Sequence, residues 1–312
     1  MVGLGQISLD RVAALPRWPR AGEKLALATP AVVRPGGQIA TAVLAAVRLG
    51  LSGRLLGAVG DDGDGELALA PLRAAGVDLE GVQRIPGAPT RSALILVDGD
   101  GERTVLAHRD ARLARRPADL ARDAIRGARA LLVDAEDPDA AGWAIGVARE
   151  AGVASVLDAD RADPDRVELA RSADFPIVSE SFCADFSKPD RISDEAGRAC
   201  LAELARGRAR MAVLTRGARG ALALHSGEWL ERPAFSVEAV DTTGAGDVFR
   251  GAFAWALLGG ASAKQVLALA AAAAALACRG EGAQGALPAV AEVERIAMAG
   301  SLRTPAVRRN PD

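Results

Sequence analysis

The chain has 312 residues, and its 38 Lys and Arg nearly balance its 40 Asp and Glu, so it lacks the basic field that holds nucleic acid or an anionic membrane. Aromatic residues make up only 3% and tyrosine is absent, which also disfavours a surface that stacks nucleobases. The three cysteines contain no Cys-x-x-Cys pair and there are two histidines, so we expect a reducing cytoplasm and neither a disulfide framework nor a zinc site.

The N-terminal third contains four extended runs. Residues 1–10 lack the basic and apolar regions of a signal peptide, and extended runs follow at residues 9–15 and 24–33. Two further runs, 91–97 and 102–108, flank the sequence Asp-Gly-Asp-Gly, which is a strong hairpin signal. These runs predict a small separate sheet, drawn from about residues 9–34 and 91–108. It would be either an extra edge of the main sheet or a lid over a binding cleft.

Helices and strands alternate through the rest of the chain, and most junctions contain Gly or Pro. Helices are predicted at residues 38–49, 66–75, 138–151, 164–170, 194–206, 246–258 and 263–278. Strands are predicted at residues 54–59, 130–134, 153–157, 175–179 and 211–215. This alternation predicts an α/β fold with a doubly wound, mainly parallel sheet and helices on both faces.

Two C-terminal segments need separate interpretation. The apolar run 266–278 is rich in alanine and shorter than the roughly 20 residues that a membrane helix requires, so we interpret it as a buried helix. Residues 301–312 contain two prolines and are expected to be disordered. We therefore expect one domain over residues 1–300, without a membrane span.

The most informative segment reads DTTGAGDVFRGAF at residues 241–253, between a strand-like run and an apolar helix. Gly244 and Gly246 expose the backbone, so successive N–H groups can converge on an anion, and the helix adds the positive end of its dipole. Asp247 in the first turn could take a proton from a hydroxyl while phosphoryl oxygens are held beside it. Alternatively, the segment is only a tight strand-to-helix turn with Asp247 as the N-terminal cap.

This segment closely resembles the C-terminal signature of the ribokinase-like (PfkB) carbohydrate kinases. The sequences GGQIATA at residues 36–42 and GAVGDDGDG at residues 57–65 resemble the N-terminal signature of that family. TRGARG at residues 215–220 resembles its nucleotide loop, and GAQGALP at residues 282–288 resembles its late loop beside the adenine. These motifs occur in the order of the family and span nearly the whole chain.

The resemblance implies a doubly wound α/β domain with a β lid, and transfer of the ATP γ-phosphoryl group to a sugar hydroxyl. Asp247 then matches the catalytic base of the family. The backbone of Gly244, Ala245, Gly246 and Asp247 matches its anion hole. This arrangement suits a reaction that depends mainly on positioning and charge stabilisation.

The resemblance also implies binding residues by position. Sugar contacts fall on Asp10, Gly36, Gly37, Thr41 and Asp247. Nucleotide contacts fall on Ser179, Thr215, Gly217, Gly220, Gly244, Gly246 and Gly282. A monovalent cation such as K⁺ would be held by Asp241, Thr243, Ala277, Gly280, Gly282 and Ala286, and Mg²⁺ would arrive with ATP.

Other charged side chains follow predicted strands and have two interpretations each. Glu136 and Asp134 lie at the strand end where ligands of open α/β sheets gather, or they are simply solvated in a loop. Arg109 could reach a charged or polyhydroxy substrate from the lid, or it forms a surface ion pair. Lys24, which opens the run 24–33, could meet an anionic sugar group or remain in solvent. Asp10 could accept sugar hydroxyls or be an ordinary turn residue.

The chain departs from the pattern of the family at two places. Thr41 stands where the family usually has Asn, which changes the hydrogen bonds offered to the substrate. The Asn-x-x-Glu motif, which helps to order the Mg²⁺–phosphate water, should fall at residues 179–182, where this chain reads Ser-Glu-Ser-Phe. These features make the chain more similar to the ketohexokinase and sulfofructose kinase branch than to ribokinase itself.

Two alternative functions remain open at this point. A nucleoside kinase of the same fold would need a pocket that stacks a base, for which aromatic residues are scarce. A non-catalytic sugar or nucleotide sensor would fit the missing Asn-x-x-Glu motif, but an intact Asp247 and glycine nest argue against it. A homodimer that covers the lid is a further expectation. The sequence does not choose the sugar or the hydroxyl, because single polar contacts decide both.

Overall fold

A computed structural model describes residues 1–27, 29–98, 103–187 and 193–298. Its strands, in chain order, are β1 (Val2–Leu4), β2 (Ser8–Ala14), β3 (Val32–Gly36), β4 (Arg54–Gly60), β5 (Val82–Ile85), β6 (Ser92–Val97), β7 (Arg103–His108), β8 (Ala130–Asp134), β9 (Ala154–Ala159), β10 (Phe175–Ser179), β11 (Met211–Thr215), β12 (Ala221–His225) and β13 (Glu228–Arg232). Its helices are α1 (Gln38–Arg48), α2 (Gly63–Ala74), α3 (Arg122–Arg126), α4 (Pro138–Glu150), α5 (Pro164–Ser172), α6 (Glu180–Ser187), α7 (Asp194–Ala205), α8 (Ala245–Leu258), α9 (Ala263–Ala277) and α10 (Val290–Met298).

Nine of these strands form one sheet in the order β13-β12-β11-β10-β9-β8-β1-β4-β5. The strands from β11 to β5 are parallel, and β12 and β13 add an antiparallel edge. One core, on one face of the sheet, contains residues of α1, α2, α8, α9 and α10, and a second core contains residues of α3 to α7. The predicted doubly wound, mainly parallel sheet with helices on both faces is confirmed.

The central strands are apolar because both of their faces are covered. In β8, Leu131 and Val133 belong to one core and Leu132 to the other, as the two-residue period of a strand requires. The strand ends on a carboxylate, Asp134, which the structure also buries. A buried acid thus stands at the carboxyl end of an otherwise apolar strand. We therefore look for polar residues at this edge of the sheet.

The alanine-rich run is the buried helix α9, as expected, and it packs against α8. Within the described ranges, no helix is long and apolar enough to cross a membrane. The partner of α8 on its other side is α1, and the two helix backbones meet at Gly251. A Cβ atom at Gly251 would overlap the carbonyl oxygen of Ala42. This close approach places the start of α1 beside the start of α8.

We expect Gly251→Ala to lower the free energy of unfolding by about 1–3 kcal/mol, the usual cost of overpacking. The reason is that neither helix backbone can move away without disturbing the core around it. Urea unfolding measures the change. Gly146→Ala in α4 is the matched control, because its Cβ would meet nothing within 4 Å in the described part of the chain. That control should keep or gain stability, by up to about 1 kcal/mol. Equal losses in both variants would contradict the packing argument.

The small sheet has the strand order β3-β2-β6-β7. Strands β6 and β7 are antiparallel, which confirms the predicted hairpin, while its tip at residues 99–102 lies outside the described residues. The predicted run 24–33 is largely wrong, because the strand is Val32–Gly36 and Lys24 lies in the irregular segment before it. Pairing with β2 starts at Val12↔Val32, and Pro30 just before it has no N–H to extend the ladder. The segment 301–312, expected to be disordered, also lies outside the described residues.

Candidate active site

The ends of the parallel strands collect polar residues at one edge of the main sheet. Asp134 ends β8 and is the register partner of Asp158 in β9. Ser179 ends β10 and is the register partner of Thr215, which ends β11. Because carboxyl ends of parallel strands form the ligand-binding edge of open α/β sheets, this edge is the candidate active site.

Helix α8 points its N-terminus at this edge. Gly244 is the N-cap with φ +76°, and its carbonyl oxygen accepts the first intrahelical bond from Val248 N at 2.9 Å. The N–H groups of Gly246 and Asp247 belong to the first turn, where a helix offers no internal acceptor. Together with the helix dipole, they form an anion-binding backbone. Since Gly244 is the cap, the interpretation of Asp247 as the cap is wrong.

The Asp247 side chain is mostly buried, with 16% of its area exposed. Burial raises the pKa of Asp247 to about 7, while the Arg250 guanidinium lowers it and the nearby Asp134, Asp160 and Asp10 raise it further. A carboxyl group with such a pKa changes its charge near neutral pH. Its environment is therefore that of a group able to accept a proton under physiological conditions.

Asp10 lies on the small sheet, as the third residue of β2. It is therefore neither at the end of the first strand nor in a turn, and the turn interpretation is wrong. Its Oδ1 accepts a hydrogen bond from Ser8 Oγ at 3.0 Å, and burial raises the pKa of Asp10. A Cβ at Gly36 of β3 would overlap Oδ2 of this carboxylate. The small sheet thus brings a second, half-buried carboxylate toward Asp247.

Gly37 and Thr41 start helix α1 beside this carboxylate pair. Gly37 is the N-cap, and a Cβ there would lie 2.5 Å from the carbonyl oxygen of Gln6. The Thr41 side chain is fully buried, and its hydroxyl accepts a hydrogen bond from Gln284 Nε2 at 3.3 Å. In this structure Thr41 therefore faces the late loop, and its role as a substrate contact stays a prediction. No role was predicted for Gln284, although it lies within the late-loop motif.

A small pocket with polar and charged side chains in its lining adjoins the end of β8. Asp134 is buried at its base and accepts hydrogen bonds from Gln6 N at 2.7 Å and Glu136 N at 3.2 Å. Burial raises the pKa of Asp134 to about 7. Glu136 lies at the rim, with Oε2 3.3 Å from Arg91 Nη1. Asp134 therefore shapes the loop, and Glu136 is the carboxylate that borders the pocket.

Arg109 lines the same pocket but is not a freely extended cation. Its Nη2 lies 2.5 and 2.7 Å from the two carboxylate oxygens of Asp137, and Nη1 lies 3.4 Å from the Glu136 carbonyl oxygen. Arg109 is thus in an ion pair, as one of the two interpretations of the sequence has it, but the pair is half-buried, with 24% of the Arg109 side chain exposed. Arg109 holds the loop after β8. To contact the substrate, its guanidinium would have to bind the substrate while it remains paired with Asp137.

The predicted nucleotide residues lie along the ends of β10 and β11. Ser179 Oγ accepts a hydrogen bond from Phe182 N at 3.3 Å, and Thr215 Oγ1 donates one to Val178 O at 3.3 Å. The loop after β11 includes Gly217 and Gly220, and a Cβ at Gly220 would overlap the Arg232 carbonyl oxygen. This loop therefore runs close to the end of β13.

Ion pairs anchor the same loop to its surroundings. Arg216 Nη2 lies 2.6 Å from Glu231 Oε1, and Arg219 pairs with both Glu180 and Asp194. Glu180 directly follows Ser179, in the segment where the family motif that orders Mg²⁺ would stand. Its carboxylate is thus engaged by Arg219 of the loop after β11.

The six residues predicted to hold a monovalent cation lie in two adjoining segments. Asp241 Oδ1 accepts hydrogen bonds from Thr243 N at 2.8 Å and Thr243 Oγ1 at 2.6 Å, and Oδ2 accepts one from Gly282 N at 2.8 Å. Gly280 packs against Ala286, since a Cβ on it would lie 2.6 Å from the Ala286 Cβ, and its N–H donates to Ala277 O at 3.4 Å. Both carboxylate oxygens of Asp241 are thus engaged by N–H and O–H donors that join the two segments, and K⁺ binding here stays a prediction.

Two arginines with buried or bridging contacts received no role from the sequence. Arg250 in α8 pairs with Asp158 of β9, and Arg34 Nη2 of β3 lies 3.0 Å from Oε2 of Glu281, the residue just before the late loop. A charged residue on the apolar face of α8 is a signal that could have identified Arg250. Its partner could not be found, because it comes from a distant strand.

Comparison with known proteins agrees with this geometry. A model of the pfkB family carbohydrate kinases matches residues 2–290. The ATP-dependent ribose-1-phosphate kinase of Halopiger xanaduensis is 32% identical over 80% of this chain and 82% of the relative. The ribokinase of Bacillus subtilis is 30% identical over 94% of this chain and 97% of the relative.

Solved structures give the same result for the fold. The ribokinase of Thermotoga maritima has a TM-score of 0.79 at 26% identity, over 95% of this chain and 98% of that structure. The ribokinase of Cryptococcus neoformans, in complex with ADP, has a TM-score of 0.79 at 25% identity, over 94% and 98%. The family model and both solved structures cover more than nine-tenths of the chain, and the two relatives cover 80% and 94% of it. The chain therefore belongs to the pfkB family of carbohydrate kinases.

Proposed function

We propose that this chain is an ATP-dependent carbohydrate kinase in which Asp247 is the general base. One observation carries the assignment of the base: the mostly buried Asp247 carboxylate lies in the first turn of α8, beside the anion-binding backbone of that helix. Proton acceptor and phosphoryl-binding groups are therefore separated by less than one helical turn. Phosphoryl transfer needs this combination, because its main demands are alignment and neutralisation of charge.

In the proposed step, a proton moves to Asp247 as the phosphoryl group moves to the acceptor. Asp247 takes the proton of the acceptor hydroxyl while the hydroxyl oxygen bonds to the γ-phosphorus and the bond to the β-phosphate bridging oxygen breaks. The N–H groups of Gly244, Gly246 and Asp247 stabilise the charge on the transferring group. The Ala245 N–H donates to Thr242 O at 3.3 Å and would have to leave that hydrogen bond to join them. Mg²⁺ bound to ATP would neutralise phosphate charge, and we assign it no protein ligand because Glu180 is paired with Arg219.

The nucleotide is proposed to lie along the ends of β10 and β11 and the start of α8. The Halopiger relative is named ATP-dependent, and the Cryptococcus ribokinase was solved with ADP. The residues assigned to the nucleotide are Ser179, Thr215, Gly217, Gly220, Gly244, Gly246 and Gly282. They lie on the polar edge of the main sheet and its adjoining loops, where a phosphate chain can reach Asp247.

The sugar is proposed to lie between that edge and the small sheet. Asp10 and Asp247 are carboxylates that can accept hydrogen bonds from sugar hydroxyls, and Glu136 borders the adjoining pocket. The other residues assigned to it are Gly36, Gly37, Thr41 and Arg109. Residues 1–300 would then form one kinase domain, in which β2, β3, β6 and β7 are the lid that excludes water.

The direct test is ADP release from Mg²⁺-ATP, with and without K⁺, over a panel of ketoses, aldoses, sugar phosphates, acidic sugars, sulfofructose and nucleosides. We expect one carbohydrate to turn over, and K⁺ to increase its rate if the Asp241 segment holds the cation. If only a nucleoside turned over, the acceptor would be a nucleoside and the proposed carbohydrate acceptor would be wrong. Binding of ATP or a sugar, shown by a higher melting temperature without any turnover, would support a sensor instead.

The activity should rise with pH through about 7. Asp247 accepts a proton only when it is ionised, and burial raises its pKa to about 7, so the base is lost as the pH falls below that value. The profile of kcat/KM between pH 5.5 and 9 measures this limb, with Asp247→Asn as the control for titration of ATP itself. A flat wild-type profile across that range would contradict the assignment of the base.

We also propose a homodimer through the small sheet. Leu94 of β6 and Leu106 of β7 are register partners, and both side chains are exposed on the sheet. Light scattering at micromolar concentration should give a dimer for the wild type and a monomer for Leu106→Glu. Met298→Glu on α10, which replaces another exposed apolar residue, should remain dimeric. A monomeric wild type would overturn this proposal.

A further inference from the structure

A buried arginine lies behind the proposed base. Arg250 stands three residues after Asp247 in α8, and its side chain is only 6% exposed. Its Nη2 lies 2.5 Å from Asp158 Oδ1, and its Nη1 lies 3.8 Å from Asp247 Oδ1. Gly246 makes room for the guanidinium, because a Cβ there would lie 2.6 Å from Nη1. The guanidinium is therefore packed against the backbone of the proposed anion hole.

The groups that face Asp247 from the neighbouring elements are mostly acids. They are Asp10 from β2, Asp134 from β8, and Asp158 and Asp160 from β9 and its end. Arg250 is the cation that opposes them. Several acids around one carboxylate favour its neutral form, whereas a cation about 4–6 Å away favours its charged form.

The ion pair with Asp158 is costly as a purely structural device. The Asp158 side chain is fully buried, and apart from this pair its carboxylate has no hydrogen-bond partner within the described part of the chain. Apolar side chains in place of a buried ion pair often stabilise a protein as well or better. A further role for Arg250 would explain the presence of a charge on the apolar face of α8.

We propose that Arg250 is a positioning residue for the reaction: its guanidinium, anchored on Asp158, keeps the Asp247 carboxylate charged and directed at the acceptor hydroxyl. This rests on the proposed function of Asp247 as the base. When Asp247 has taken the proton and become neutral, Arg250 remains paired with Asp158. The Asp158 anchor therefore keeps the guanidinium in place through both charge states of the base.

The test uses variants with opposite expected effects on the pH profile of kcat/KM. The quantity compared is the midpoint of its low-pH limb, where activity rises with pH. Arg250→Met should move the midpoint of the limb up by about one to two pH units, because an opposing cation is removed. Asp158→Asn should move it down, because Arg250 then has one competing carboxylate fewer. Arg250→Lys keeps the charge and should stay near the wild-type midpoint. If Arg250 had only a structural role, the midpoint would not rise in Arg250→Met and fall in Asp158→Asn.

A double variant covers the possibility that Arg250→Met does not fold with an unpaired acid at Asp158. Arg250→Met combined with Asp158→Asn leaves no unpaired acid at position 158. Its midpoint should still lie above that of Asp158→Asn alone. A double variant with the same midpoint as Asp158→Asn would overturn the proposal. Arg250 would then interact with Asp158 but have no effect on the charge of Asp247.

A readout without turnover separates this proposal from the proposed function. Infrared titration of the carboxyl groups in the substrate-free protein reports the midpoint of Asp247, identified by its loss in Asp247→Asn. We expect the Asp247 midpoint to shift upward in Arg250→Met even if no acceptor sugar has been found. An unchanged Asp247 midpoint, with kcat lowered equally at every pH, would overturn the role of Arg250. If instead the midpoint shifts but Asp247→Asn retains full turnover, the assignment of the base fails, and with it the positioning role that depends on it.

Discussion

Replacing Asp247 with asparagine is expected to lower kcat by about 10²–10⁴-fold, the usual scale for a positioned general base. The amide keeps the shape of the side chain but cannot accept the hydroxyl proton. The anion-binding backbone of α8 remains, so binding of ATP should be retained. Steady-state kinetics and calorimetric titration with ATP measure the two quantities separately.

Loss of the fold should not account for that result. The folded protein raises the pKa of Asp247 from 3.8 to about 7, so the ionised carboxylate destabilises the fold increasingly as the pH rises between these values. Removing it should leave the melting temperature at pH 8 equal or higher. Asp139→Asn is the control, since it removes an exposed acid from the first turn of α4 and should keep full activity. Turnover by Asp247→Asn within a few-fold of wild type would reject Asp247 as the base.

Replacing Gly244 with alanine is expected to lower kcat by about 10²–10³-fold, the effect of losing one donor from an oxyanion site. Gly244 has φ +76°, and its Cβ would lie 2.6 Å from the Cα of Ala283 in the late loop. The first turn of α8 or the late loop must therefore move, and either movement displaces the backbone N–H groups from the phosphoryl group.

The opposite end of the same helix provides a matched control. Gly260 has φ +78°, but a Cβ there would meet nothing within 4 Å among the described residues. Gly260→Ala should therefore cost only the strain of a left-handed residue, about 1–2 kcal/mol of stability, with kcat unchanged. If both variants lose the same activity, backbone strain and not the clash at Ala283 would explain the loss at Gly244.

The sequence predicts the architecture well where the signal is local. Fully apolar strands such as β8, and helices of 10–15 residues between glycines, specify a parallel sheet without any tertiary information. The segment 241–253 likewise predicts the turn, the helix start near Ala245 and the carboxylate in the first turn. These features depend on residues that are close in the chain.

Contacts between distant elements could not be predicted in the same way. The pairing of Arg250 with Asp158, and of Arg109 with Asp137, depends on which strand end faces which loop. The second extended run was misplaced, because an edge strand is defined by its partner β2 and not by its own pattern. The hydrogen bond from Gln284 to Thr41 joins the two ends of the chain and has no local signal.

The antiparallel edge of the main sheet has a consequence for solubility. An outermost strand offers unpaired backbone groups to the strands of other molecules, and charged side chains are a common protection against such aggregation. Strand β13 reads Glu-Trp-Leu-Glu-Arg, so three of its five side chains carry charge. A second copy that extended the sheet at this edge would have to pair or bury these charged side chains along the new strand. The hairpin β12–β13 therefore gives the parallel part of the sheet a charged edge that disfavours growth into a filament.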